Sequence, residues 1–136
     1  MKSPLIFIML SITLTWFGCT PKYAEVQFGQ GGGVTNDYQA FVIKQDGNLF
    51  AKKEENSEPT LIRKLEKSEL KMVYQKLKTA DIAALDINTP HNIYKFIEIK
   101  NEVGTSVNKV VWGDPQGKLT IELKDLYDYL LLIAKK

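Results

Sequence analysis

The chain has 136 residues, with 18 Lys and Arg against 16 Asp and Glu, a formal net charge of +2. That length suits one domain rather than two. A near-neutral balance without a basic block leaves no electrostatic footprint for nucleic acid, and a lone cysteine excludes a disulfide within the chain.

Residues 1–18 read as a secretory signal. Lys2 supplies a short basic start, the apolar run Leu5 to Leu14 follows, and "TWFGC" ends at Cys19. The run is shorter than the roughly 20 residues a membrane span needs. Cys19, directly after Gly18, resembles the lipidated cysteine of a bacterial lipobox, with Trp16 where such boxes usually carry Leu. That looser form is similar to the lipoboxes of Bacteroidota lipoproteins. The resemblance implies a diacylated Cys19 as the new amino terminus, residues 19–22 as anchor and short tether, and a single domain over 23–136. A single acyl chain holds only marginally and two or three hold firmly, so the expected attachment is permanent. Thr20 and the absence of an acidic cluster in "TPKYAE" point to the outer membrane, facing the periplasm, with surface display as the alternative.

In the domain, "YAEVQF" (Tyr23 to Phe28) alternates and predicts a strand. "GQGGGVTND" then intervenes before a second strand, "YQAFVIK" (Tyr38 to Lys44). Asp46-Gly47 accepts the positive φ angles of a tight hairpin, so "LFAKK" returns antiparallel. "TLIRKL" (Thr60 to Leu65) is a candidate further strand. From Ser68, Leu70, Val73, Tyr74, Leu77 and Ala80 recur at helical spacing, with Ser68 as the expected cap. "DINTPHN" is turn chemistry. "IYKFIEIK" and "TSVNKVVW" predict a second hairpin joined across "NEVG", and "GDPQGK" a loop. Leu123, Leu126, Leu130 and Ile133 mark a closing helix capped by Thr120. The expected fold is α+β, an antiparallel sheet of about five strands with two helices packed on one face, in the order β-β-β-α-β-β-α.

The glycines admit several readings. A phosphate loop needs a following helix and a Gly-Lys-Ser/Thr, whereas the segment after Gly33 reads as strand. Gly31 to Gly33 can instead supply positive φ angles or a bulge between strands. The functional alternative is a protruding loop, Gln30, Gly31, Gly32, Gly33, Val34, Thr35 and Asn36, that meets a partner protein with its bare backbone, as an extended segment adds to a sheet edge.

Other candidate chemistry is sparse. His91 is the sole histidine and sits in a turn, so with one cysteine there is no zinc or transition-metal set. Asp86 lies nearby, but one histidine and one carboxylate make no site. Asp125 and Asp128 fall on a helix face that reads as solvated. Asp46-Gly47-Asn48 lacks the repeated carboxylates of a calcium loop, and no Gly-x-Ser-x-Gly elbow occurs. Trp112 reads as a core or rim aromatic. No catalytic residue, metal or cofactor is expected.

With "GQGGGVT" early, a central helix, a second hairpin and a leucine-rich closing helix, the chain is similar in layout to two groups. One is a set of small Bacteroidota lipoproteins with an early triple-glycine loop. The other is the emfourin-like family, small bacterial proteins that inhibit thermolysin-like metalloproteases. The expected function is a membrane-anchored, non-catalytic module of the envelope that binds another protein or serves as an accessory subunit of an outer-membrane assembly. The alternative that the second resemblance implies is a periplasmic protease inhibitor whose exposed loop occupies a cleft.

Overall fold

A computed structural model describes residues 23–113 and 119–136. The expected signal segment 1–18, Cys19, the tether to residue 22 and residues 114–118 of the expected loop lie outside the described residues. The protein is α+β. In chain order it has β1 (Glu25–Gly32), β2 (Gln39–Lys44), β3 (Asn48–Lys52), β4 (Thr60–Lys64), α1 (Lys67–Ala80), β5 (Asn88–Thr89), β6 (Ile93–Lys100), β7 (Ser106–Gly113) and α2 (Ile121–Ala134).

The strands form one sheet in the order β4-β3-β2-β1-β6-β7-β5. The first strand is thus central, with the hairpin β2–β3 on one side and the hairpin β6–β7 on the other. The expectation of about five antiparallel strands needs correcting to seven in a mixed sheet. β4 pairs antiparallel with β3, and the two-residue β5 pairs parallel with β7. "DINTPHN" read as a turn because Pro90 and two asparagines interrupt it. Its two extended residues are recruited by a neighbour, as Val111 N–H donates to the Ile87 carbonyl.

Period-two alternation divides the sheet. Val26, Phe28, Phe41, Ile43, Leu49, Ile97, Ile99, Val110 and Trp112 point one way and join one buried cluster with Val73 and Leu77 of α1 and Leu123, Leu126, Leu130 and Ile133 of α2. Both helices therefore cover this face. Trp112 belongs to the cluster, edge-on to Tyr127 at 5.1 Å. Tyr127 spans the layers, its hydroxyl donating to the Gly29 carbonyl at 3.0 Å.

The opposite face is sealed by its own side chains. Phe96 and Ala40 flank Gly29 across the sheet, and Tyr38 stacks on Phe96 at 5.9 Å. Gln27 donates to the Tyr38 hydroxyl at 2.9 Å, so this buried amide has a partner.

The outermost strands, two-residue β5 and bulged β4, are poor templates for another strand, although β5 pairs with β7 only at Val111 and Trp112. Leu61 pairs with Phe50 and Arg63 with Leu49, leaving Ile62 without an opposite residue. Short and bulged edges resist edge-to-edge pairing.

Helix boundaries follow local chemistry, with one correction. Ser68 is not the cap of α1. Glu66 holds that position, and Glu69 reaches back to accept from the Glu66 N–H at 3.0 Å. The Leu65 N–H is held by the Gly47 carbonyl at 2.8 Å, so the helix starts as soon as β4 ends. Thr120 caps α2 as expected, accepting from the Leu123 N–H at 3.2 Å.

Candidate binding surface at one end of the sheet

Antiparallel pairing of β1 with β6 brings the last residues of one beside the first residues of the other. Gly31 lies opposite Tyr94, and Gly32 opposite Ile93. Beyond them Gly33 N–H donates to the Asn92 carbonyl at 2.6 Å. The glycine loop and the segment Pro90 to Asn92 thus emerge together. β7 ends at the same place, since Gly113 pairs with Tyr94. His91 packs there so closely that a Cβ on Gly113 would lie 2.6 Å from its backbone nitrogen.

The glycine segment divides into a paired base and an exposed tip. Gly31 and Gly32 belong to β1, which runs four residues past Phe28, where the sequence pattern ends its strand. Gly31 does not take the expected positive φ; Gly32 and Gly33 do, at +88° and +85°. What Gly31 supplies is room. A Cβ there would sit 2.6 Å from the Tyr94 hydroxyl and 3.3 Å from the Tyr38 ring. At Gly32 an added Cβ would lie 2.1 Å from the Asn92 carbonyl oxygen, an approach only glycine permits.

Gly33 to Asn36 forms the turn itself. Asn36 N–H donates to the Gly33 carbonyl at 3.2 Å, and Asn36 has φ +49°. Asparagine tolerates this region better than most residues. Thr35 Oγ1 donates to Asp37 Oδ2 at 2.7 Å. At the apex Val34 is fully exposed, 100 %, and beside the base Ile93 is 57 % exposed. The Gly33 Cα lies within reach of Ile93, whose Cγ1 would be 3.8 Å from an added Cβ. Gln30 is exposed at the start of the segment, on the last residue pair of β1 and β2.

Tyr38 supports this end from beneath. Burial pushes its hydroxyl up to about 12, only partly offset by the hydrogen bond from Gln27. It therefore stays a neutral phenol across ordinary pH. Tyr94 leans on Phe96 at 6.3 Å, so two tyrosines and a phenylalanine fix the floor under the loop.

The remaining sequence candidates do not converge here. His91 joins the loop cluster as an exposed residue, whereas Asp86 is exposed before β5. Asp125 pairs with Lys76 across the helices. Asp46 folds onto its own turn, accepting from Asn48 N–H and Nδ2 at 2.9 Å each. Among the described residues no group of three or more His, Cys, Asp or Glu side chains could hold a metal ion. Sequence reading missed that Ile93, Asn92 and His91 share a surface with the glycines. The available signal was the strand pattern beginning at Ile93, but its pairing partner is some sixty residues away. No protein-family model matches this chain, and no curated protein matches it in sequence.

Proposed function

We propose that this protein is a lipid-anchored envelope module that binds another protein through the loop end of its sheet. The observation that carries the reading is Val34, a fully exposed aliphatic side chain at the tip of a turn whose base is hydrogen-bonded to a second strand. An apolar group held out on a fixed support is available to an interface. An anchor that is ordered before contact loses little entropy on binding. The surrounding Gly, Thr, Asn and Tyr resemble the residues that dominate adaptable protein-recognition loops. Backbone addition to a sheet edge is not the mode this loop suits, because Gly31 and Gly32 already pair with β6. Side-chain insertion of Val34 into an apolar socket is.

The anchor is diacylated Cys19, the location is the outer membrane facing the periplasm, and the partner is an envelope protein. Cys19→Ala is expected to move the protein from the membrane to the soluble fraction without altering its circular dichroism. A photo-crosslinking residue at position 34, placed in the full chain in its native envelope, is expected to give a discrete protein adduct. The same residue at exposed Val107, on β7, should give none. Equal yields at both positions would defeat the loop assignment.

The second reading is an emfourin-like protease inhibitor. Its support is the pinned convex shape of the same turn, held by the Gly33–Asn92 and Thr35–Asp37 bonds. Inhibition of a thermolysin-like protease by the purified protein, lost in Val34→Asp, would favour it over an assembly role.

A further inference from the structure

β1 runs from the point where the chain joins the domain to the glycine loop, so its two ends mark two poles. At the first pole the backbone is clamped. Tyr74 hydroxyl donates to the Tyr23 carbonyl at 2.9 Å. Ala24 N–H donates to the Lys100 carbonyl at 3.0 Å, and Gln45 N–H donates to the Ala24 carbonyl at 2.9 Å. These bonds come from α1, from β6 and from the β2–β3 turn, so Tyr23 and Ala24 have no slack on any side. Tyr23 is itself buried, 8 % exposed.

Glu25 pairs with both Lys44 and Lys100, which puts two connecting turns at this same pole. One is Gln45 to Asn48. The other is Asn101 to Thr105, closed by Asn101 N–H to the Thr105 carbonyl and Gly104 N–H to the Asn101 carbonyl, both at 3.0 Å. At its apex Val103 is 83 % exposed. The second pole, with Val34 and Ile93, lies at the far end of the eight residues of β1, about 26 Å away at strand rise.

The geometry points to a fixed polarity on the membrane: the Asn101–Thr105 turn faces the lipid surface, and the Val34 loop faces away from it. This inference rests on the anchored reading above. Four Cα-to-Cα steps lead from Cys19 to Tyr23, and fully extended they span at most about 14 Å. For the loop end to face lipid, the tether would have to run back along the sheet for about 26 Å, which it is too short to do. The partner therefore meets the domain from the aqueous side. It is a protein that reaches above the leaflet, rather than a neighbour lying in the headgroup plane.

The test uses the full-length lipidated protein in vesicles of phosphatidylethanolamine and phosphatidylglycerol carrying a nitroxide headgroup quencher. Val34→Cys and Val103→Cys each receive one environment-sensitive fluorophore, the Cys19 sulfur being blocked by its diacylglyceryl thioether. Both positions are exposed, and Ile93→Cys reads the same pole as Val34 should that variant fold poorly. The loss of emission at 103 is expected to exceed that at 34 by about threefold or more, given poles about 26 Å apart. Equal losses, or the larger loss at 34, would overturn the polarity while leaving anchored protein binding intact. If the wild-type chain bound vesicles no better than Cys19→Ala, the anchored reading would fall and the polarity with it.

Discussion

Gly32 and Gly33 have nearly the same φ but different surroundings, so replacing them separates two costs. Gly33→Ala adds a methyl group in ordinary contact with Ile93 Cγ1 at 3.8 Å, and bears only the positive-φ penalty, about 1 kcal/mol. Gly32→Ala adds that penalty to a collision with the Asn92 carbonyl oxygen at 2.1 Å. Its expected cost is about 3 kcal/mol, in the range of the larger backbone-strain effects. Urea titration of the two variants checks the order, and a Gly33 variant as unstable as Gly32 would contradict it. Tyr127→Phe removes only the hydroxyl that satisfies Gly29, and is expected to lower stability by about 1–2 kcal/mol. At this scale the sequence was a good guide to where glycine is needed and a poor one to why. Gly31 makes room for tyrosines that lie on other segments, and no local pattern records them.

At the scale of elements, α1 is tied to both neighbours through one carboxylate. Glu69 accepts from the Arg63 guanidinium of β4, from Lys136 beyond α2 and from the Glu66 N–H. Arg63 also donates to the Ile133 carbonyl at 2.7 Å, near the end of α2. The Arg63 hydrogen bond, outweighing the burial that opposes it, holds the Glu69 carboxyl down at about 2, against an ordinary 4.5. A carboxylate depressed in this way stabilises the fold above its unfolded pKa, and that contribution disappears as pH falls through the folded one. Chemical stability is therefore expected to decline between about pH 4.5 and pH 2, and Glu69→Gln should flatten this part of the profile. A profile unchanged by Glu69→Gln would refute the assignment. The helical stripe from Leu70 to Ala80 was readable because it repeats locally. The start of α1 was not, because the cap depends on where β4 stops pairing, and Ser68 is a good cap by composition alone.

The whole molecule has one core shared by both helices and the central strands, so it should unfold as a unit. Leu126→Ala removes a fully buried side chain from that cluster and is expected to cost about 3 kcal/mol. The fluorescence of Trp112 and the helical circular dichroism should shift together in the same titration. Separate transitions would show that the two helices are stabilised independently. Val34→Asp, by contrast, is expected to leave the unfolding midpoint unchanged while abolishing the adduct formed from a photo-crosslinking residue at neighbouring exposed Thr35, because Val34 is fully exposed at the tip of its turn. Stability thus resides between the layers, and the proposed recognition loop lies apart from it at one pole of the sheet.

The sequence alone determined what depends on near neighbours. The Asp46-Gly47 hairpin, with Gly47 at φ +90°, the Thr120 cap and the leucine stripe of α2 are all specified within a few residues. So was the α+β class, since each helix and each hairpin has a single apolar face that must be buried against another layer. Tertiary structure alone decided which segments meet. β5 exists because Val111 and Trp112 offer it a parallel partner. β4 carries its bulge at Ile62, beside the step from Leu49 to Phe50 of β3. The glycine loop and His91–Ile93 form one surface because β1 pairs with β6, across some sixty residues of sequence. Strand pairing brings residues distant in sequence into contact through backbone groups that every residue carries, and such groups leave no mark on residue type.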